Sequence, residues 1–109
     1  MWGICLDSTV CGGSLFYAVI EYERSDDGGT VNMIQPVKGV QVSAIDVRQM
    51  DHPPRFVYGE AVSPVNHPER IGVIRSIGWH CKNQDYMYLL TVNSRKKSKR
   101  YYSCDLLKR

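Results

Sequence analysis

The sequence contains no apolar run near the ~20 residues that cross a bilayer as a helix. It has no C-x-x-C pair, no nucleophile-elbow motif, and no glycine-rich phosphate loop leading into a helix. Each absence removes a class: membrane-spanning helices, zinc ribbons, serine or cysteine hydrolases, and P-loop or dinucleotide-binding enzymes. Histidine is scarce, and His52, His67 and His80 fall in loops and at strand ends, so no acid–base pair suggests itself and an enzyme is not expected. Met1-Trp2-Gly3 opens without the basic and long apolar regions of a signal peptide, which makes the cytoplasm the expected location.

Cys5, Cys11, Cys81 and Cys104 stand at irregular spacings. In a reducing compartment such residues are small core hydrophobes, whereas export would allow Cys5 and Cys11 to close a disulfide loop. A metal site would have to draw on His80-Cys81, His52 or His67. Neighbours in a strand point to opposite faces, and no second ligand follows two to four residues away, so neither metal nor cofactor is expected.

What the chain does have is ordinary globular composition, 43% hydrophobic and 23% charged over 109 residues. Acidic residues are unevenly spread. Residues 1–52 carry three basic groups against seven acidic ones, a net −4, and residues 53–109 carry eleven against four, a net +7. A division of this kind can mark a nucleic-acid or acidic-protein surface in the second half, although a small domain also reaches such a value by chance.

The local pattern is one of strands and turns. Residues 16–22 are aromatic and β-branched, Ser25-Asp26-Asp27-Gly28-Gly29 supplies a hairpin turn, and residues 30–34 return. Pro36 ends that strand because it cannot donate to a ladder. Val40 and Val42 alternate with polar neighbours, and Ser43-Ala44-Ile45-Asp46 reads as a short helical turn capped by the Ser43 side chain. Asp51-His52-Pro53-Pro54 is the clearest break, which places units at residues 1–51 and 55–109.

The second unit repeats the order. Residues 56–62 open it as a strand, and residues 63–69 form a polar loop with two prolines. Residues 71–79 follow as a strand bulged near Gly72 or Gly78, because Val73 and Ile74 cannot otherwise both face one core. Residues 86–92 are apolar on both faces, as in a strand covered on two sides. Residues 93–97 turn, residues 98–104 return, and Asp105-Leu106-Leu107 parallels the closure at Ile45-Asp46-Val47.

Phe56-Val57-Tyr58-Gly59-Glu60-Ala61-Val62, Gly72-Val73-Ile74, Tyr86-Met87-Tyr88-Leu89-Leu90 and the terminal Asp105-Leu106-Leu107 together resemble the SH3-like small barrels of the KOW and Tudor type. The likeness covers residues 55–108. In the first unit, Trp2-Gly3-Ile4-Cys5-Leu6 takes the place of the opening strand. The resemblance implies an all-β protein made of two small SH3-like antiparallel barrels in tandem, or one merged barrel, with short helical turns only. Units of ~50 residues are marginal alone.

The strongest chemistry-bearing cluster is Arg95-Lys96-Lys97-Ser98-Lys99-Arg100, five positive charges on a hairpin. Joined by Arg70, Arg75 and Lys82 in one basic groove, it can contact phosphates while Trp79, Tyr101 or Tyr102 stacks on a base. The same lysines can equally serve as a solvated turn that protects a sheet edge. Trp79, Tyr86, Tyr88 and Tyr102 can also be read as an aromatic cage of the Tudor kind or as barrel core. The expected function is non-enzymatic: nucleic-acid binding through the basic second unit. The alternative is a protein-interaction module, such as an inhibitor, immunity or adaptor protein, that engages an acidic partner surface.

Overall fold

Segments rich in β-branched and aromatic residues pair as antiparallel strands throughout, and the protein is all-β. The structure, a computed structural model, describes residues 1–6 and 17–109. Among the described residues, helical geometry is confined to two single 3-10 turns, and no helix is long and apolar enough to cross a membrane. By its internal contacts the chain divides into Met1–Pro53 and Pro54–Arg109.

The first unit contains β1 (Trp2–Cys5), β2 (Tyr17–Arg24), β3 (Thr30–Gln35), β4 (Gln41–Ser43), a 3-10 turn at Ala44–Asp46 and β5 (Val47–Gln49). β1 pairs with both β2 and β5, setting Ile4 opposite Val19 and Arg48. Between β2 and β3 the Asp27 carboxylate accepts the N–H groups of Gly29 at 2.9 Å and Thr30 at 3.1 Å. Gly28 takes a φ of 71°, which a side chain would resist. Glu21 faces Gln35 while Tyr22 faces Met33, so the ladder skips Ile34 and bends there.

Among the described residues of this unit, Cys5, Ile20, Tyr22, Val31, Met33 and Val42 form a buried cluster, and Ile4 and Val19 are buried as well. The Ser43 side chain makes no cap hydrogen bond, contrary to expectation, and the backbone N–H of Val47 closes the turn on the Ala44 carbonyl instead. Cys5 is disulfide-bonded. Cys11, its expected partner in a closed loop, and Phe16, the expected first residue of β2, lie outside the described residues.

The second unit contains β6 (Ala61–Pro64), β7 (Gly72–His80), β8 (Asp85–Val92), β9 (Arg95–Lys96), β10 (Tyr101–Tyr102), a 3-10 turn at Ser103–Asp105 and β11 (Leu106–Lys108). β6 pairs with β7 and with β11, β7 with β8, and β8 with both β9 and β10. Phe56, Val62, Ile74, Ile77, Tyr88, Leu90 and Leu106 are at most 1% exposed. Such apolar burial contributes roughly 1.5–3 kcal/mol per large side chain. Phe56 meets Tyr88 edge to face at 5.2 Å.

The structure corrects several local expectations. The opening strand does not begin at Phe56: the Glu60 N–H bonds back to the Val57 carbonyl at 3.1 Å and Gly59 takes a φ of 83°, so a turn occupies that stretch. Pro64, expected in a loop, ends β6 opposite Leu106, a position where proline is tolerated. The bulge of β7 falls at Arg75 rather than near Gly72 or Gly78. Ile74 faces Leu90 and Ser76 faces Leu89, while Val73 is simply exposed.

Candidate functional site

The β8–β9 connection determines where the basic cluster goes. Asn93 and Ser94 take φ values of 51° and 62°, the pair of positive angles that a two-residue hairpin loop needs. Arg95 therefore already belongs to β9, opposite Val92, and Lys96 stands opposite Thr91. The turn is two residues long and the basic residues follow it, whereas the sequence suggested a turn over residues 93–97.

Pairing continues as Lys97 donates its N–H to the Leu90 carbonyl at 2.9 Å. It resumes with Tyr101 opposite Tyr88. Residues 98–100 thus bulge out opposite Leu89, and the expected continuous return strand over residues 98–104 is divided. Residues directly opposite in an antiparallel ladder share a face. Arg95 and Lys97 accordingly project on the side of Val92 and Leu90, with Lys96 on the other.

On that side lies a cleft of about 560 Å³ lined by Arg70, Leu90, Val92, Asn93, Arg95, Lys97, Lys99 and Tyr101. Its floor is apolar and its rim carries four cations with no carboxylate. Two successive turns bring in Arg70: His67 N–H bonds the Pro64 carbonyl at 3.0 Å, and Arg70 N–H bonds the His67 carbonyl at 2.9 Å. The Lys99 ammonium sits 5.2 Å from the Tyr101 ring centroid. Such a contact at an exposed site is worth roughly 0.5–1 kcal/mol. A smaller cleft of about 230 Å³ shares Lys99 and Tyr101 on its wall and is lined also by Pro64, Asn66, His67 and Asp105.

The remaining candidates are placed elsewhere. Arg75 does not line the cleft; its guanidinium donates to the Lys97 carbonyl at 2.7 Å and so anchors the start of the bulge. Lys82 belongs to the turn between β7 and β8, and Arg100 and Lys96 are exposed outside the cleft lining. Trp79 packs against Tyr86 across the ladder, centroids 5.0 Å apart at 72°. The Tyr102 hydroxyl accepts from the Asn83 amide at 2.7 Å, and its ring lies 6.4 Å from His80. Of the expected aromatic contacts, Tyr101 alone joins the cations.

The Trp79, Tyr86, Tyr88 and Tyr102 cage does not assemble around a common space. Tyr88 is fully buried against Phe56, and Tyr86 is 5% exposed. Other cations of the basic half bond within the unit. Arg55 donates to the Ser103 carbonyl at 2.9 Å, Arg109 to the Ser63 hydroxyl at 3.0 Å, and Arg75 as described. Of Arg70, Arg75 and Lys82, the three basic residues that could have extended the cluster into one groove, Arg70 alone lines the cleft. Among the described residues no group of three or more His, Cys, Asp or Glu could hold a metal ion.

A family model spans residues 18–107, and therefore every residue lining the cleft. The chain belongs to DUF6960, a family of unknown function. No curated protein and no solved structure matches it. The DUF6960 match runs through both units, so the acidic and the basic half belong to one family pattern.

Proposed function

We propose that the protein is a non-enzymatic binding module of two SH3-like barrels, and that its basic unit binds nucleic acid in the cleft beside β9 and β10. Support for the barrel reading is the pairing order. In each unit the first strand pairs with the second and with the last, and a 3-10 turn immediately precedes the last. The observation that carries the binding reading is the rim of Arg70, Arg95, Lys97 and Lys99 around a cleft without a carboxylate. Phosphate contacts position a nucleic acid and need only cations at suitable spacing.

Salt titration of oligonucleotide binding tests this. Neutralising four phosphates gives a log–log slope of about −3 to −4, from roughly −0.7 per contact on single strands and −0.9 on duplex. Lys97→Glu and Lys99→Glu should weaken binding and flatten that slope, while Lys82→Glu should leave both nearly unchanged. Binding insensitive to salt, or equally reduced by Lys82→Glu, refutes the site. A single stoichiometric protein partner retained after nuclease treatment would support the protein-interaction reading instead.

A further inference from the structure

We infer that the cleft takes single-stranded rather than duplex nucleic acid, with an unpaired base seated against the Tyr101 ring. The inference rests on the nucleic-acid reading and adds to it the form of the ligand and the residue that selects it.

A duplex offers phosphates on a convex surface and keeps its base faces stacked inside, so it satisfies a flat basic patch but leaves a recess empty. Here the cations surround a recess of about 560 Å³ whose floor is Leu90 and Val92. A recess of that volume has room for a small, flat group among the cations, with Tyr101 as the ring on its wall. An exposed base supplies such a group, and a paired base does not.

Trp79, Tyr101 and Tyr102, each half-buried, differ in their partners. Trp79 is occupied by Tyr86, and Tyr102 is tied through its hydroxyl to Asn83. Tyr101 is partly exposed, lines both clefts and carries Lys99 above it. Aromatic stacking with cations beside it is the recurrent way of holding single strands without reading their sequence. The bulge at residues 98–100 is what lifts Lys99 over the ring.

The two clefts share a wall. The smaller cleft lies across the Lys99–Tyr101 wall and offers Asn66 and His67 to a neighbouring nucleotide. Asp105 lines it too, with its carboxylate already accepting the Tyr102 N–H at 2.9 Å. Phosphates are therefore drawn to the Arg70, Arg95 and Lys97 rim, with bases turned toward Tyr101.

The test uses the full chain with three probes over one common series of salt concentrations: an oligothymidylate, a duplex of equal length, and polyglutamate. Oligothymidylate should bind at least about tenfold tighter than duplex. Tyr101→Leu should lose about tenfold on oligothymidylate, the size of one lost base stack, with duplex binding and the salt slope unchanged. Tyr101→Phe should retain affinity. Photo-crosslinking of a bromouridine oligonucleotide to the unsubstituted chain should map to Tyr101, which keeps the inference testable should Tyr101→Leu unfold. Equal affinity for duplex and single strand, or adducts at Trp79 or Tyr102, overturns it while leaving nucleic-acid binding intact. Polyglutamate binding as tightly as either nucleic acid overturns the underlying reading.

Discussion

Removing one oxygen, by Tyr88→Phe, should cost the second unit about 1–2 kcal/mol. Tyr88 is fully buried in β8, and its hydroxyl accepts the Arg55 N–H at 3.1 Å. The hydroxyl also lies 3.4 Å from Ser103 Oγ, at the 3-10 turn that precedes the last strand. That one atom therefore links the segment entering the unit to the segment closing it. Phenylalanine preserves the ring and its edge-to-face contact with Phe56, so no sizeable cavity forms. What is lost is a hydrogen bond of about 0.5–1.5 kcal/mol, plus part of the ~1–3 kcal/mol penalty for an N–H left without a partner. Arg55 is exposed, so water recovers some of that penalty, which sets the estimate below the sum.

Alkaline pH supplies an independent reading of the same atom. Burial pushes the Tyr88 phenol above its usual value of 10.0, and burial does the same to Tyr58, whose hydroxyl donates to the Ile77 carbonyl at 3.3 Å. Above pH 10 the unfolded chain releases these protons while the folded chain retains them. The folded state then binds more protons, and stability falls as pH rises, by up to about 1.4 kcal/mol per pH unit for each such group. Stability is complete below pH 10 and lost progressively above it. Urea unfolding at neutral pH and across the alkaline limb measures both effects. Wild-type stability in Tyr88→Phe, or an alkaline slope no shallower than in the parent, would refute the role given to this hydroxyl.

Two further outcomes follow from the first unit. Gly3→Ala should destabilise by about 2–3 kcal/mol in thermal or urea unfolding, because the new methyl group would stand 2.7 Å from the Arg48 carbonyl oxygen and 2.9 Å from the Tyr22 ring. Backbone on one side leaves little room to give. Asp27 accepts the Gly29 and Thr30 N–H groups, which hold its carboxyl below its ordinary value, so its contribution is present at neutral pH and disappears as acid protonates it. Asp27→Asn should therefore raise hydrogen-exchange rates in the turn at pH 7, and the difference from wild type should shrink toward pH 3.

Strands β2, β3, β7 and β8 were legible because their side chains carry the β-branched and aromatic signal themselves. Ser25-Asp26-Asp27-Gly28-Gly29 was legible for the same reason, since the turn chemistry is local. Residues 56–60 misled: Phe56, Val57 and Tyr58 have strand propensity, but Gly59 and the Val57–Glu60 bond make a turn there, and long-range contacts override the local preference. At the site, the cations of residues 95–99 were visible as a run. Their separation into cleft-facing Arg95 and Lys97 and outward Lys96 depends on a turn only two residues long. Arg70 reaches the cleft through loop hydrogen bonds that no sequence spacing encodes. Tyr101 and Tyr102 look equivalent as text, and only the partner of each distinguishes them.

The bulge opposite Leu89 also has a meaning for length. Lys97 bonds at Leu90 and Tyr101 stands opposite Tyr88, so three residues fill the place of one, a surplus of two. Because side chains alternate with a period of two, an even surplus returns Tyr101 to the same face it would occupy without any insertion. The segment behaves as a cassette in phase with the ladder. Relatives or engineered variants can shorten or lengthen it by pairs of residues, changing how many cations overhang the cleft, while every residue from Tyr101 onward keeps its side.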